Sequence, residues 1–181
     1  MNLTIPTLTT DRLTLRAPHP DDFDTFADFF MSERAAFVGG PATREQSWRM
    51  LACELGHWPL RGYGRWAVDE TETGRFAGII GPWNPEGWPE PEIGWDLMNG
   101  FEGKGYATEA ALASLVYAHD RLGWKSAISL VSPPNHASRK VAQRLGATHD
   151  GMFEHERHGP LEVWRHLSPK DLAARRPETV A

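Results

Sequence analysis

Three glycines lie close together directly before a stretch with a helical pattern. Gly100, Gly103 and Gly105 fall within residues 97–108, and the helical pattern then continues to about Leu122. The first turn of a helix leaves four backbone N–H groups without partners, and the helix dipole adds about half a positive charge there. No Ser, Thr, Asp or Asn between residues 101 and 106 caps these groups. The segment therefore predicts a turn whose free amides bind an anion such as phosphate.

Two carboxylates precede this turn in a segment that alternates as a β-strand does. Period-two alternation predicts that Glu92, Gly94 and Asp96 share one face of a strand over residues 92–98. The apolar residues between them, including Trp95, are then expected to face the core. The two carboxylates would thus lie on the same face of the strand that leads into the anion-binding turn.

The rest of the chain supplies the elements that hold these segments. Strands are predicted over residues 12–16, 65–70, 75–81, 92–98, 125–131, 147–154 and 161–167, and helices over 23–31, 43–55, 106–122 and 135–145. The order β-α-α-β-β-β-α-β-α-β-β mixes hairpins with crossover helices. It predicts one α+β domain over residues 1–181, with a mixed, mostly antiparallel seven-stranded sheet flanked by about four helices. A loose tail is expected after about Arg175.

Composition limits the class of protein. Of the 181 residues, 40% are hydrophobic and 24% are charged, which is ordinary for a globular protein. The net charge of -5 argues against a nucleic-acid partner and suits a cationic substrate. The single cysteine, Cys53, fits a reducing compartment, and we find neither a secretory signal nor a membrane-spanning stretch. A cytoplasmic protein that binds neither nucleic acid nor membrane is expected, with a homodimer as one possible assembly.

Several motifs carry a resemblance to a known family. They are residues 10–16 (TDRLTLR), 92–95 (EIGW), 103–110 (GKGYATEA), and Asn135-x-x-Ser138 followed by Arg144-Leu145-Gly146. With them the chain resembles the GNAT superfamily of N-acetyltransferases, in its RimJ/RimL-like (ribosomal-protein acetyltransferase) branch. The glycine turn and the downstream Asn-x-x-Ser are specific in combination, and the resemblance covers nearly the whole chain.

The resemblance implies acetyl-CoA as co-substrate, and no metal is expected because the residues supply no ligand set for one. The residues it implies for the pyrophosphate are Gly103, Lys104, Gly105, Tyr106, Ala107 and Thr108. It also implies that Asn135 and Ser138 contact the cofactor, and that the main chain near Leu97 and Met98 pairs with the pantetheine arm. Backbone amides near Leu97 and Met98 are further candidates to hold the thioester oxygen.

Two positions depart from the superfamily pattern. The loop begins with Glu102 where Gln or Arg is usual, and we expect this carboxylate to turn towards solvent or a basic neighbour such as Lys104. Many members carry a tyrosine seven residues after the motif asparagine to protonate the departing thiolate, and here that residue is Ala142. Ser138 then becomes the candidate acid.

The implied reaction is acetyl transfer to a primary amine, either a peptide N-terminus or a small molecule, by direct attack in a ternary complex. An alkyl amine has a pKa of about 10.4 and a peptide amino group one of about 8, so a base is needed more for the first. Glu92 is the first candidate for this base, directly or through a water, and Asp96 the second. Both carboxylates could instead orient the substrate or be structural.

Other interpretations remain at this point. Trp83 and Trp88, in the proline-rich loop 82–91, could wall an acceptor site or belong to the core. A GNAT fold that binds an acyl-CoA or an amine with weak or no turnover is the main alternative. A dinucleotide-binding oxidoreductase is excluded because Thr108 stands at the third glycine position of that motif. His149, His155 and His158 lack a further ligand for a metal and are expected to be solvated in a hairpin.

Overall fold

The computed structural model describes residues 4–175, and its framework is one mixed sheet. The strand order is β1-β2-β3-β4-β5-β6-β8-β7, and every neighbouring pair is antiparallel except β5 and β6. The strands are β1 (Leu8–Thr9), β2 (Leu13–Arg16), β3 (Trp66–Glu70), β4 (Arg75–Trp83), β5 (Glu92–Leu97), β6 (Ile128–Val131), β7 (Thr148–His155) and β8 (Gly159–Arg165).

Five α-helices accompany the sheet. They are α1 (Phe23–Phe30), α2 (Arg44–Arg61), α3 (Tyr106–Asp120), α4 (His136–Arg144) and α5 (Pro169–Arg175). The predicted α+β class is confirmed, with eight strands instead of seven and five α-helices instead of about four. The additional elements are β1 and α5, both short. The predicted loose tail falls on residues 176–181, outside the described residues. None of the helices described is both long and apolar enough to span a membrane.

Helix α3 follows the glycine turn and packs closely on the sheet, against β4 and β5. Its inward stripe is built mainly from alanine, and Ala110, Ala111 and Ala118 are completely buried together with Leu115. Small side chains allow the helix axis to approach the sheet, because little volume separates the two backbones. The first turn of α3 is therefore held firmly at the end of β5.

Helix α2 is longer than the sequence predicts. We expected it to end near Leu55, before Gly56, but it continues to Arg61 and includes Pro59 in its last turn. Trp58 is only 2% exposed in the core. Burying such a side chain stabilises the fold by more than the roughly 1 kcal/mol that a glycine costs inside a helix. The extension also adds the buried side chain of His57 to the helix.

Strands β5 and β6 separate soon after they begin. They pair in register only at Glu92 and Ile128. Beyond this point the Ser129 hydroxyl donates to the Ile93 carbonyl at 2.6 Å, and the Leu130 N–H donates to the Glu92 carboxylate at 3.0 Å. Side chains thus replace ladder hydrogen bonds where the strands part, and a gap opens in the middle of the sheet.

Candidate active site

Two cavities, of about 410 and about 500 Å³, lie beside the open end of β5. We call the first the carboxylate cavity, because Glu54, Glu92 and Asp96 line it, and the second the glycine cavity, because Gly103 and Gly105 line it. Both cavities are also lined by Phe37, Val38, Trp95, Asp96, Asn135 and Ser138. The two cavities therefore meet at the separated strands.

The glycine turn presents free backbone amides. Gly103 and Gly105 have φ of 75° and 83°, in the left-handed region that favours glycine, and Gly105 is the N-cap of α3 without a side-chain cap. Among residues 4–175, no backbone or side-chain acceptor pairs with the N–H groups of residues 103–108. The first turn of α3 is therefore free to bind an external anion, as the sequence predicts.

Arg12 forms hydrogen bonds with both the glycine turn and helix α3. Its Nη1 donates to the carbonyl of Lys104 at 2.9 Å, and Glu109 on α3 accepts from its backbone N–H at 3.0 Å and its Nε at 2.8 Å. In a trans peptide the C=O and the following N–H point in opposite directions. The N–H of Gly105 therefore points away from Arg12.

The long side chains of the turn face away from the glycine cavity. Lys104 Nζ and the Tyr106 hydroxyl both donate to Glu70 on β3, at 3.1 and 2.5 Å. Hydrogen bonds from Tyr106, Thr73 and Lys104 lower the pKa of Glu70 to about 2. Lys104 and Tyr106 thus offer their backbone, and not their side chains, to a ligand in this cavity.

Glu102 pairs with a residue that the sequence did not suggest. Its Oε1 lies 2.5 Å from Arg34 Nη2, so the expected basic neighbour is Arg34 and not Lys104, which donates to Glu70. Arg34 comes from the short 3-10 segment Glu33–Phe37, and its Nη1 also donates to Asn99 Oδ1 at 2.5 Å. Arg34, Lys140 and Arg144 line the glycine cavity together, so its wall carries three cations.

The end of β5 offers one free amide instead of two. The N–H of Met98 donates to the Ala77 carbonyl at 2.9 Å, so the expectation that Met98 could hold a thioester oxygen is wrong. Successive residues of an antiparallel strand point their amides to opposite sides. The N–H of Leu97 therefore points away from β4 and into the gap, and Leu97 lines the glycine cavity.

Asn135 and Ser138 lie where the cavities meet. Asn135 is the predicted N-cap of α4, and its Oδ1 accepts from the N–H of Ser138 at 3.1 Å. The indole N–H of Trp95 donates to Ser138 Oγ at 3.3 Å. Trp95 is only half-buried and reaches the junction, which corrects the expectation of a core position. Because the indole only donates, the hydroxyl proton of Ser138 remains available.

Glu92 is a buried carboxylate with no cation beside it. Its side chain accepts from the Trp88 indole N–H and from the Leu130 N–H, and the residue is 7% exposed. Among the described residues it forms no salt bridge, whereas Asp96 pairs with Arg65. Burial raises the pKa of Glu92, and these two hydrogen bonds only partly offset that effect.

Arg65 joins two elements across the carboxylate cavity. Its Nη1 lies 2.7 Å from Asp96 Oδ2 on β5, and its Nε donates to Glu54 Oε2 on α2 at 3.1 Å. Burial raises the pKa of both carboxylates, and Arg65 opposes this. Neither Glu54 nor Arg65 is among the site residues that the sequence predicts. The available signal was a polar residue on the inward stripe of α2, three positions after Leu51.

Trp83 and Trp88 both line the carboxylate cavity. Trp83 stacks on His57, with ring centroids 4.4 Å apart, and Trp88 meets the ring of His155 edge-on at 4.9 Å. The expectation of solvated histidines is met by His149 and His158, which are exposed, and is wrong for His155, which is half-buried. Within residues 4–175, no group of three or more His, Cys, Asp or Glu is placed to hold a metal ion.

The arrangement of turn, separated strands and paired cavities agrees with a comparison against known families. The family model described as the acetyltransferase (GNAT) domain matches residues 12–148. The chain belongs to the GNAT acetyltransferase family. As a GNAT acetyltransferase it is an acetyl-CoA-dependent acyltransferase, and its fold is one that binds acetyl-CoA.

Individual relatives extend this assignment. This GNAT acetyltransferase is 30% identical over 148 residues to the uncharacterized protein YkkB of Bacillus subtilis, a match that covers 77% of this chain and 83% of YkkB. An acetyltransferase structure from Agrobacterium tumefaciens aligns with a TM-score of 0.84 and 39% identity over 93% of this chain and 98% of that one. The structure of RimL, a ribosomal L7/L12 alpha-N-protein acetyltransferase in complex with coenzyme A, shares the fold, with a TM-score of 0.73 and 16% identity over 90% of this chain and 98% of that one.

The glycine cavity fits the charged part of acetyl-CoA. The six free amides of residues 103–108 suit a diphosphate, which needs several donors at once. The three cations in the cavity wall add the positive charge that phosphate groups require. The residues that would hold the co-substrate are therefore present in this GNAT acetyltransferase.

Proposed function

We propose that this GNAT acetyltransferase transfers the acetyl group of acetyl-CoA to a primary amine, by direct attack in a ternary complex. The observation that carries the proposal is the meeting of the two cavities at Trp95 and Ser138. One cavity has free amides and cations, and the other has a buried carboxylate without a cation. The two substrates would reach each other through the gap between β5 and β6.

The co-substrate would lie along the glycine cavity. The amides of Gly103, Lys104, Gly105, Tyr106, Ala107 and Thr108 would bind the pyrophosphate. Leu97 would pair with the pantetheine arm or hold the thioester oxygen, because its N–H faces the gap. Asn135 and Ser138 line the cavity near the reacting end.

The reaction requires two proton transfers and one bond exchange. Bound acetyl-CoA supplies a thioester, to whose carbonyl carbon the amine nitrogen forms a bond while the C–S bond breaks. The amine enters as an ammonium ion and must lose one proton before attack and a second one afterwards. One of these protons ends on the sulfur, so the products are the amide, the thiol and one released proton.

Glu92 is the better placed of the two candidate bases. Asp96 pairs with Arg65 at 2.7 Å, which stabilises its ionised form and makes it a weaker proton acceptor. Burial raises the pKa of both carboxylates, but Glu92 has no cation paired with it to oppose this. We therefore assign the base to Glu92, and to Asp96 a share in orienting the amine.

Ser138 would protonate the departing thiolate. Its oxygen already accepts from Trp95, so its own proton can be donated to the sulfur. This assignment replaces the tyrosine that stands at the position of Ala142 in many family members. Ser138 would recover its proton from solvent through the open cavity.

The first prediction concerns the co-substrate itself. We expect acetyl-CoA at 100 times its dissociation constant to stabilise the protein by about 2.7 kcal/mol. For a domain of this size the melting temperature should rise by several degrees, at roughly 2–4 °C per kcal/mol. NAD, titrated in parallel by differential scanning fluorimetry, should give no shift. A flat response to acetyl-CoA would refute the proposal, and a shift without thiol release for any amine would favour a binding protein.

A second prediction concerns Arg34, whose side chain is within reach of the glycine turn and paired with Glu102. We expect Arg34→Gln to raise the dissociation constant of coenzyme A by about 10- to 150-fold, because a charge-assisted contact to phosphate contributes about 1.5–3 kcal/mol. Isothermal titration should show this loss shrinking as salt rises, since salt screens the exposed cation in the parent protein.

Arg49→Gln is a matched control for this experiment. Arg49 pairs with Glu45 on the exposed side of α2, in an exposed salt bridge. It should leave the affinity for coenzyme A unchanged. Equal affinities for the Arg34 variant and the parent protein would mean that Arg34 only anchors Glu102.

A further inference from the structure

The carboxylate cavity contains more negative charge than Arg65 balances. Glu54, Glu92 and Asp96 are each less than 10% exposed, and Arg65, whose side chain is 12% exposed, is the one cation among the described lining residues that pairs with any of them. Even with Glu92 protonated, Arg65 faces two carboxylates. The deep part of the cavity therefore favours a ligand that brings a positive charge.

Arg65 already uses three of its five N–H donors on two carboxylates of the cavity. Its Nε and Nη2 both donate to Glu54, and its Nη1 donates to Asp96. The two donors nearest Glu92, the Trp88 indole and the Leu130 amide, are already used by Glu92 itself. A carboxylate on the substrate would therefore meet three buried carboxylates here, and a cation that two of them already share.

The walls above these carboxylates are aromatic and apolar. Trp83, Trp88 and Trp95 line the cavity together with Phe37 and Met50. A cation near the face of a tryptophan ring gains further stabilisation. Two further charged side chains, Glu86 and Arg157, line the same cavity, and both are exposed.

We propose that the acceptor is a compact monoamine with an aromatic or branched apolar body and no carboxylate beside its amino group. The inference rests on the amine acetyltransfer proposed above and narrows it to one class of amine. The ammonium group would lie against Glu92 and Asp96, and the apolar body against the tryptophans. The cavity of about 410 Å³ is of a size that suits a small molecule.

Free α-amino acids are expected to be poor acceptors, because their carboxylate would lie beside the amino group and be repelled by the buried carboxylates of the cavity. A peptide N-terminus avoids this charge but brings amide groups, and the buried donors near Glu92 are already paired. We therefore expect peptides to react more slowly than the matching monoamine, and amino acids to react much more slowly than both.

The test uses three acceptors that differ in one substituent. 2-Phenylethylamine, phenylalaninamide and phenylalanine carry the same ring and amino group, and differ by hydrogen, carboxamide or carboxylate at one carbon. Thiol release with acetyl-CoA is measured for each and corrected to the free-amine fraction at that pH. We expect kcat/KM for phenylalanine to be at least about 100-fold below that for 2-phenylethylamine, as like charges in a buried site require.

A variant of Glu54 tests whether the buried negative charge causes the difference in rate between 2-phenylethylamine and phenylalanine. Glu54→Gln removes one negative charge and frees part of Arg65, so it should narrow the difference between 2-phenylethylamine and phenylalanine by about 10-fold. Cys53→Ser, a neighbour on α2 that also lines the cavity, is the uncharged control and should leave the ratio unchanged.

The outcomes separate this inference from the proposed function. If acetyl-CoA produces no thermal shift and no amine is acetylated, the proposed function falls. If acetyl-CoA binds, but phenylalanine or a phenylalanine-initiated peptide reacts as well as 2-phenylethylamine, only the monoamine inference falls. It falls equally if acetyl-CoA binds and 2-phenylethylamine neither reacts nor shifts the melting temperature of the coenzyme A complex.

Discussion

Gly105→Val is expected to weaken acetyl-CoA binding by about 100-fold. Gly105 has a φ of 83° and stands at the N-cap of α3, where its own amide and those around it are free. A β-branched residue is strained at this angle, so the turn would change conformation to relieve the strain. Losing two hydrogen bonds to a charged phosphate, at about 1.5 kcal/mol each, accounts for the expected factor.

Gly74→Val is the control that distinguishes the effect of backbone strain on stability from the loss of the anion-binding turn. Gly74 has a similar φ of 68°, in the hairpin between β3 and β4, and no atom lies within 4 Å of the side-chain carbon it would gain. Both variants should lose stability by a similar amount, which thermal unfolding measures. Only Gly105→Val should lose affinity in an acetyl-CoA titration. If the two variants bind acetyl-CoA alike, the turn is not the pyrophosphate site.

The parts of the site that the sequence predicts are those encoded within a few residues. The glycine turn depends on spacing and on a missing cap between residues 101 and 106, and both features are local. The cap by Asn135 is equally local, since it joins residues three positions apart. Such features can be predicted from the sequence because they do not depend on contacts with distant parts of the chain.

The parts that the sequence missed depend on tertiary contacts. Arg65 and Asp96 are 31 positions apart, and nothing in either segment indicates that β5 and the start of β3 bring them together. Arg34 reaches Glu102 in the same way, across the sequence. Glu102 pairs with the distant Arg34 and not with Lys104, which is close in sequence, because Lys104 pairs with Glu70 instead.

The assignment of Leu97 and Met98 illustrates the importance of register. Alternation predicts that successive amides point in opposite directions, but not which of them is free. The register of β4 and β5 decides this, because it places the Ala77 carbonyl opposite the Met98 amide. A shift of one residue would exchange the roles of the two amides.

Glu92→Gln is expected to lower kcat by about 100- to 1,000-fold, in the range of a lost general base. Acetyl-CoA affinity should be unchanged, because Glu92 lines the carboxylate cavity and not the glycine cavity. Glutamine has only one side-chain oxygen and can accept from only one of the two donors that bind Glu92, so the substitution could disturb the fold. An unchanged affinity for acetyl-CoA therefore also shows that the fold is intact. Steady-state kinetics and isothermal titration measure the two quantities.

The pH dependence gives this prediction a definite sign. Burial raises the pKa of Glu92, and a base must be ionised to act, so the rate of the parent protein should fall as the pH drops through that raised pKa. In the Gln variant this acidic limb should be absent. The rate should instead follow the free amine, rising towards a pKa of about 10.4 for an alkyl amine. The difference between the two proteins should therefore be largest near neutral pH and shrink at high pH.

Glu90→Gln is the matched control, because the same substitution falls two residues earlier on the same segment. Glu90 pairs with Arg165 outside the carboxylate cavity, at 2.8 Å. Its loss should leave both kcat and the pH profile unchanged. If the pH profile of Glu92→Gln coincides with that of the parent protein, the carboxylate has only a structural role, as an acceptor between β5 and β6. The base would then be Asp96 or a water, and the hydrogen bond from the Leu130 amide would be the main reason for a glutamate at this position.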